Sequence, residues 1–364
     1  MNPQLISRPT LANWRAAPFN RWAFHHVREL IPTADIPNDP QKVRALPLEP
    51  RELDLEAFLS ETDTDGMAIL HRGRLAFERY ANGLSDEAPH ILMSVSKSML
   101  GLLIHEIGLD PARAVSDFVP EMKGTAYREA KLRDLLDMRA GIVWDENYLA
   151  TSGPIVEYRK ATGWNPLNPG DTPSDLKSFY ANLQQTAPHG GPLHYVSPNS
   201  DLLGWVVERA TGEPYGKLMG AHVWKKAGTE RSAYITVDRL GAPRCAGGMC
   251  STLRDLARVG QWLVEERPAF LQEIETGGDP QAWSAGDLAQ YFRGLPIRYR
   301  SHWYVLEGDA PLVFGWGIHG QHLFIDRKNQ IVVARFASQS LPVDPARIAL
   351  MLRAVSEIRQ RLAS

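Results

Sequence analysis

Cysteine is nearly absent: Cys245 and Cys250 are the only two in a chain of 364 residues. A scaffold stapled by several disulfides is therefore excluded, and neither a four-cysteine zinc site nor an iron–sulfur cluster can be built from cysteine alone. An excess of one charge is also missing. Lys plus Arg number 40 and Asp plus Glu 42, a formal net charge of −2. No polycationic field exists to hold nucleic acid or anionic lipid. Long apolar runs are lacking as well, each being broken by charge or glycine well short of the ~20 residues that cross a bilayer. Residues 1–30 show no uninterrupted apolar stretch behind a basic start and no small-residue cleavage site after one, so the expected compartment is the cytoplasm, with no membrane partner.

What is present is ordinary globular composition, 44% hydrophobic and 23% charged, which argues against a disordered chain. The length suits two packed domains at ~150 residues each, or one large α/β unit. Residues 1–50 are rich in Pro, Arg and Trp and read as an arm over the body. Leu53–Leu59 predicts a short helix. Gly66–Leu70 and Arg74–Tyr80 predict two strands around the turn His71-Arg72-Gly73. Ser94–Ile107 has the periodicity of a buried helix, with Val95, Met99, Leu102, Leu103 and Ile107 at helical spacing. Lys131–Met138, Asp201–Thr211 and Thr252–Glu265 predict further helices. Asp145–Asp175 reads as a long irregular loop flanked by Trp144, Tyr148, Tyr158 and Trp164, of the kind that lines a site or moves. Pro311–Ile318, Leu323–Asp326 and Gln330–Ala337 predict successive antiparallel strands, and Ala346–Leu362 a closing helix. Strands at both ends with helices between give an α+β fold. The expected division is an arm at 1–50, a sheet region from 51–94 and 241–364, and a mostly helical region at 95–240.

The sharpest local signal is Ser94-Val95-Ser96-Lys97. Three residues apart on a helix, Ser94 and Lys97 share a face. Ser94 falls at the helix start, where unpaired amides and the positive dipole end favour anionic character. A lysine partly buried by so apolar a helix has its pKa lowered and can take the serine proton. The competing interpretation is an N-cap serine beside a solvated lysine. Two later stretches add weight: His194-Tyr195-Val196-Ser197-Pro198-Asn199-Ser200, and Phe314-Gly315-Trp316-Gly317-Ile318-His319-Gly320-Gln321.

In this order the motifs resemble those of the penicillin-recognising serine hydrolases: Ser-x-x-Lys, then Tyr-x-Asn or Tyr-x-Ser, then a glycine-containing strand triad. The resemblance runs from about residue 50 to the C-terminus. Leu132-Arg133-Asp134-Leu135-Leu136-Asp137-Met138 and Gly247-Gly248 before Ser251-Thr252-Leu253-Arg254-Asp255 support it. The class C β-lactamase-like branch fits best, and within it the 6-aminohexanoate-dimer hydrolases: the arm is Trp-rich, Ser197 stands where a class C enzyme carries asparagine, and Gly317-Ile318-His319-Gly320 replaces Lys-Thr-Gly. The resemblance implies a β-lactamase/transpeptidase-like fold, an antiparallel sheet flanked by helices. It implies that Ser94 attacks a carbonyl, that Lys97 and Tyr195 relay its proton, and that an acyl-enzyme forms and is hydrolysed. The backbone amides of Ser94 and Ile318 would hold the oxyanion. Ser197, Asn199, Trp316, Gly317, His319 and Gly320 would meet the substrate, with a protonated His319 as stand-in for the missing lysine. The expected substrate is a small linear amide, with a carboxylesterase, a weak β-lactamase or D,D-peptidase, and last a non-catalytic binding module as alternatives. The expected protein is a monomer or homodimer needing neither metal nor organic cofactor.

Other residues carry weaker signals. His25-His26 and distant His90 lack a carboxylate or cysteine at ligand spacing and read as arm or surface histidines. His189 marks a turn, and Cys245 and Cys250 read as free thiols. Trp144 and Trp164 suit pocket or core equally. Glu208/Arg209 and Arg254/Asp255 read as solvated helix charges.

Overall fold

The structure, a computed structural model, describes residues 8–363; the first seven residues of the stretch read as an arm lie outside the described residues. The strands are β1 (Thr33–Ile36), β2 (Thr64–His71), β3 (Arg74–Tyr80), β4 (His90–Ile91), β5 (Ala233–Thr236), β6 (Met249–Ser251), β7 (Ile297–Arg300), β8 (Trp303–Leu306), β9 (Leu312–Gly317), β10 (Gln321–Asp326) and β11 (Ile331–Ala337). Seven form one antiparallel sheet in the order β3-β2-β11-β10-β9-β8-β7, so strands from both ends of the chain meet at β2 and β11. The other four make a small sheet, β1-β5-β6-β4.

The large sheet is covered on both faces, and side-chain alternation sorts its residues. Met67 and Ile69 of β2 pack with Ile348, Met351 and Val355 of the closing helix Pro345–Ala363. Their neighbours Ala68 and Leu70 pack on the other side with Leu256, Val259 and Leu263 of the helix Leu253–Glu266. Each buried aliphatic side chain of this kind contributes roughly 1.5–3 kcal/mol. The helix Val95–Glu106 lies deepest, with every residue from Val95 to Ile104 buried. Among residues 8–50, Trp14, Ala23, Phe24 and Val27 are fully buried against Ile91, Met93, Trp164 and Tyr234, and β1 pairs with β5.

The predicted helices and long strands are found, within a few residues at their ends. Three features differ. The stretch 145–175 is not irregular throughout, since Pro154–Ala161 is helical. Proline there opens the helix, a first-turn position that needs no N–H, and Gly153 enters it at φ 90°. The small sheet was not foreseen, because strands of two to four residues are too short to show an alternation to read. Nor was Asp255 solvated: it is 1% exposed, takes the Thr252 hydroxyl at 2.8 Å and the Glu230 amide at 2.7 Å, and pairs with Arg258.

Candidate active site

β4 delivers the chain to the candidate nucleophile. The Leu92 amide donates to Met249 of β6 at 2.8 Å. Met93 then takes φ 45°, a left-handed conformation that a side chain adopts at a cost of about 1 kcal/mol or more. The turn places Ser94 at the N-cap of the helix Val95–Glu106. Its hydroxyl caps nothing; instead Lys97 Nζ lies 2.9 Å from Ser94 Oγ. A capping serine and a solvated lysine are thereby both ruled out, because Lys97 is 1% exposed. Its ammonium nitrogen also donates to the Ala246 carbonyl at 2.6 Å and lies 4.9 Å from the centre of the Tyr195 ring. Burial, partly offset by the charge of Glu146, brings its pKa down to about 7. A lysine poised there is available as a base near neutral pH.

Tyr195 is buried 5% exposed on the chain entering the helix Ser197–Thr211. Burial pushes its hydroxyl well above the ordinary tyrosine range, while a hydrogen-bonding contact with Ser94 opposes that rise. Its backbone is fixed by Asp287, whose carboxylate accepts from the Tyr195 amide at 3.0 Å and pairs with His194 at 2.9 Å.

The end of β9 runs beside Ser94. A Cβ on Gly317 would lie 2.8 Å from the Leu92 carbonyl and 3.0 Å from the Ser94 amide nitrogen, so only glycine lets the two backbones meet here. This approach carries Ile318 to the cavity wall. The cavity itself is about 410 Å³ and is lined by Ser94, Tyr195, Trp316 and Ile318 together with Glu146, Tyr148, Asp287 and Tyr291. Glu146 accepts from the Ser197 amide at 3.0 Å and from the Ser197 hydroxyl at 2.6 Å, closing the N-terminus of that helix with a carboxylate. Among the described residues no group of three or more His, Cys, Asp or Glu side chains could hold a metal ion, and no helix is long and apolar enough to cross a membrane.

The beta-lactamase family profile matches residues 55–356. The chain belongs to the beta-lactamase family. A 6-aminohexanoate-dimer hydrolase of Paenarthrobacter ureafaciens is 34% identical over 350 residues, covering 91% of this chain and 88% of the relative. Among solved structures, a Bacillus anthracis protein described as a 6-aminohexanoate-dimer hydrolase superimposes with TM-score 0.89 at 23% identity, over 100% of this chain and 99% of that one. EstCE1, a hydrolase with promiscuous acyltransferase activity, gives TM-score 0.63 at 17% identity, over 83% and 96%. The fold is that of the serine β-lactamases and penicillin-binding proteins, and the protein is a serine hydrolase of that family.

Not every residue expected at the site of this beta-lactamase-family enzyme is there. Ser94, Lys97, Tyr195, Ser197, Trp316, Gly317 and Ile318 converge. Asn199 does not: it is fully buried on the far side of its helix and accepts from the Tyr127 hydroxyl at 2.8 Å. His319 turns away at φ 61°. Its Nδ1 bonds the Gln339 carbonyl at 2.7 Å and its ring meets Phe24 edge-on. Burial lowers its pKa to about 4, so it cannot act as the cation that replaces the lysine of the third motif. Gly320 lies behind it, its carbonyl taken by Arg335 at 3.1 Å. His90 is likewise a core histidine, 3.2 Å from Asp65, and His189 accepts the Gly141 amide at 3.1 Å beside Gly190 in a turn. Trp164 borders the site, and Trp144 packs on Tyr158 while donating to Glu146. The sequence reading missed Glu146 and Asp287. The aromatic loop pointed to the neighbourhood of Glu146, whereas nothing local marks Asp287.

Proposed function

We propose that the protein hydrolyses a small linear amide through an acyl-enzyme on Ser94. The observation that carries this reading is the 2.9 Å approach of buried Lys97 Nζ to a Ser94 hydroxyl that makes no cap. Neutral Lys97 takes the Ser94 proton as Oγ attacks the amide carbon. The backbone amides of Ser94 and Ile318 receive the oxyanion. Tyr195 hands a proton to the departing nitrogen, the amine leaves, and water, attacking by the reverse path, frees the acid and restores Ser94. The similarity to the 6-aminohexanoate-dimer hydrolase of Paenarthrobacter ureafaciens supports a linear amide over a β-lactam, as does the absence of a cation at His319. The reading includes a cytoplasmic enzyme acting as a monomer or homodimer.

Intact-mass spectrometry after incubation with a slowly deacylating ester tests it. One adduct is expected, mapping to Ser94, and Ser94→Ala should lose turnover by on the order of 10⁴-fold or more with an unchanged circular-dichroism spectrum. A matched linear amide and nitrocefin, assayed together, should favour the amide. An adduct on another residue would overturn the assignment, and efficient nitrocefin hydrolysis beside an inert amide would overturn the substrate class.

A further inference from the structure

Behind the main cavity is a second, narrow chamber of about 30 Å³ that also opens on Ser94 and Ile318. That is room for roughly two waters, or one carboxylate. Its lining brings Arg15, Arg159 and Arg244 around a single carboxylate, Glu146. Arg244 is accounted for: it is paired with Asp201 and the Tyr158 hydroxyl. The other two are not. Arg159 is 6% exposed, and its guanidinium donates only to backbone carbonyls, those of Tyr148 at 2.9 Å and Ala150 at 3.4 Å. Arg15 donates to the Asn165 side-chain oxygen at 2.5 Å. Part of the residue reaches solvent, but its Nε is sealed off without a hydrogen-bond partner. Neither forms an ion pair among the described residues. Three guanidinium groups thus face two carboxylates, Glu146 and Asp201. Burial, then the neighbouring Arg159 and Arg244, bring Arg15 down to about 9, the signature of a cation that lacks a counter-charge. Such burial is unfavourable unless an anion arrives to share it.

The placement of Arg15 is built in. Trp14, fully buried, donates its indole N–H to the Trp164 carbonyl at 3.1 Å and meets the Trp164 ring edge-on at 5.1 Å. The N-terminal segment is thereby anchored so that the next residue reaches the chamber.

We propose that this chamber is a carboxylate subsite for the acyl half of the substrate, with Arg15 and Arg159 supplying the charge. The assignment to the acyl half rests on the function proposed above. Tyr195, the proton donor to the leaving nitrogen, lines the wide cavity and not the narrow chamber. The amine therefore departs into the wide cavity, and the acyl chain directs its terminal carboxylate into the narrow one. The substrate class is an amide of a short dicarboxylic acid, such as a glutaryl or adipoyl amide. Water adds across its amide bond, releasing the amine and leaving a dicarboxylate.

Calorimetric titration of the intact protein with 5-oxohexanoate and with 2-hexanone, an anionic and a neutral methyl ketone of equal chain length that carry no leaving group, tests the subsite without reference to turnover. 5-Oxohexanoate should bind at least tenfold more tightly. Arg15→Gln and Arg159→Gln should each reduce that preference about tenfold, and Arg15→Lys should keep part of it. Thermal melts identify a variant that has failed to fold, and the wild-type titration stands without any variant. Equal affinity for the two compounds, no binding of either, or a preference untouched by both glutamine variants would overturn the proposal and leave the arginines as structural clamps of the 148–165 segment. Hydrolysis of a neutral 4-nitrophenyl ester by the same preparation reports separately on the serine hydrolase reading.

Discussion

The floor of the site and the wall behind it both bury cations, and they treat them in opposite ways. On the floor, Lys97 has a hydroxyl and a carbonyl as its contacts and no carboxylate, and burial brings it down to about 7. In the wall, burial alone would lower Arg244 too, but Asp201 and Tyr158 overcome it and hold the guanidinium above its ordinary value. A buried lysine without a carboxylate in contact becomes a base near neutral pH, whereas a buried guanidinium paired with one is held all the more firmly as a cation. The difference between these two regions separates the group that moves a proton from the groups that fix charge.

The largest effect that can break this comparison lies on the floor. If Lys97 and Tyr195 serve successive halves of one proton path, Lys97→Ala and Tyr195→Phe should each lower kcat for an amide by on the order of 10²–10⁴. The double variant should be little worse than the poorer single one, because a broken relay is not broken twice. A matched ester should suffer less from Tyr195→Phe, since its alkoxide departs with less protonation. Additive losses in the double-mutant cycle would mean that the two residues act independently.

A smaller effect, on stability, sharpens the contrast. The folded pKa of Lys97 lies below its unfolded value, so at pH 7 the fold bears a penalty of roughly 3–5 kcal/mol for that site. Between about pH 7 and 10.5 the unfolded chain still binds the proton and the folded one does not, so wild-type stability rises with pH across that window. Lys97→Met removes the penalty at the expense of the hydrogen bond to Ala246. It should therefore raise stability at pH 7 by about 1–3 kcal/mol while abolishing activity, and its advantage should shrink toward pH 10. Urea melts at pH 6, 8 and 10 measure this. A variant less stable than wild type at pH 6 would show that Lys97 stays charged by a contact stronger than its burial. The corresponding loss of Arg244 should destabilise at every pH, because Asp201 would be left unpaired.

The floor was legible in the sequence because its geometry is local: the spacing of Ser94 and Lys97 is a helix spacing, and Tyr195 announces itself beside a helix start. The sheet was legible for a similar reason, from short apolar runs bounded by turn residues in β2, β10 and β11. The wall was not. Asp287 reaches the Tyr195 amide from 92 positions away, and Arg15 finds Asn165 from 150 positions away; such contacts exist only once the chain has folded. Motif register also says which residues stand near a strand end and nothing of where their side chains point. His319 follows Ile318 directly, yet the left-handed turn at φ 61° swings it into the core. β7 is a different case, because Ile297-Arg298-Tyr299-Arg300 alternates buried and half-buried residues and could have been read as a strand.

The smallest effect lies where floor and wall touch, at Glu146. Its carboxylate lines both chambers, binds Ser197 through two donors, and is the main charge raising the Lys97 pKa against burial. Glu146→Gln keeps an acceptor for the Ser197 amide and removes the charge, so the Lys97 pKa should fall further. Because neutral Lys97 is the working base, activity rises with pH through that pKa. The acid limb of kcat/KM should therefore move to lower pH, by on the order of one unit or less for a charge not in contact. Above about pH 8, where Lys97 is neutral in both proteins, the rate should differ only severalfold. His194, raised above its ordinary value by its hydrogen bond to Asp287, also feels the charge of Glu146, so it needs its own control. His194→Gln should leave the limb in place. If that variant moves the limb and Glu146→Gln does not, the titrating base is the histidine on the wall, and the division of labour between floor and wall is reversed.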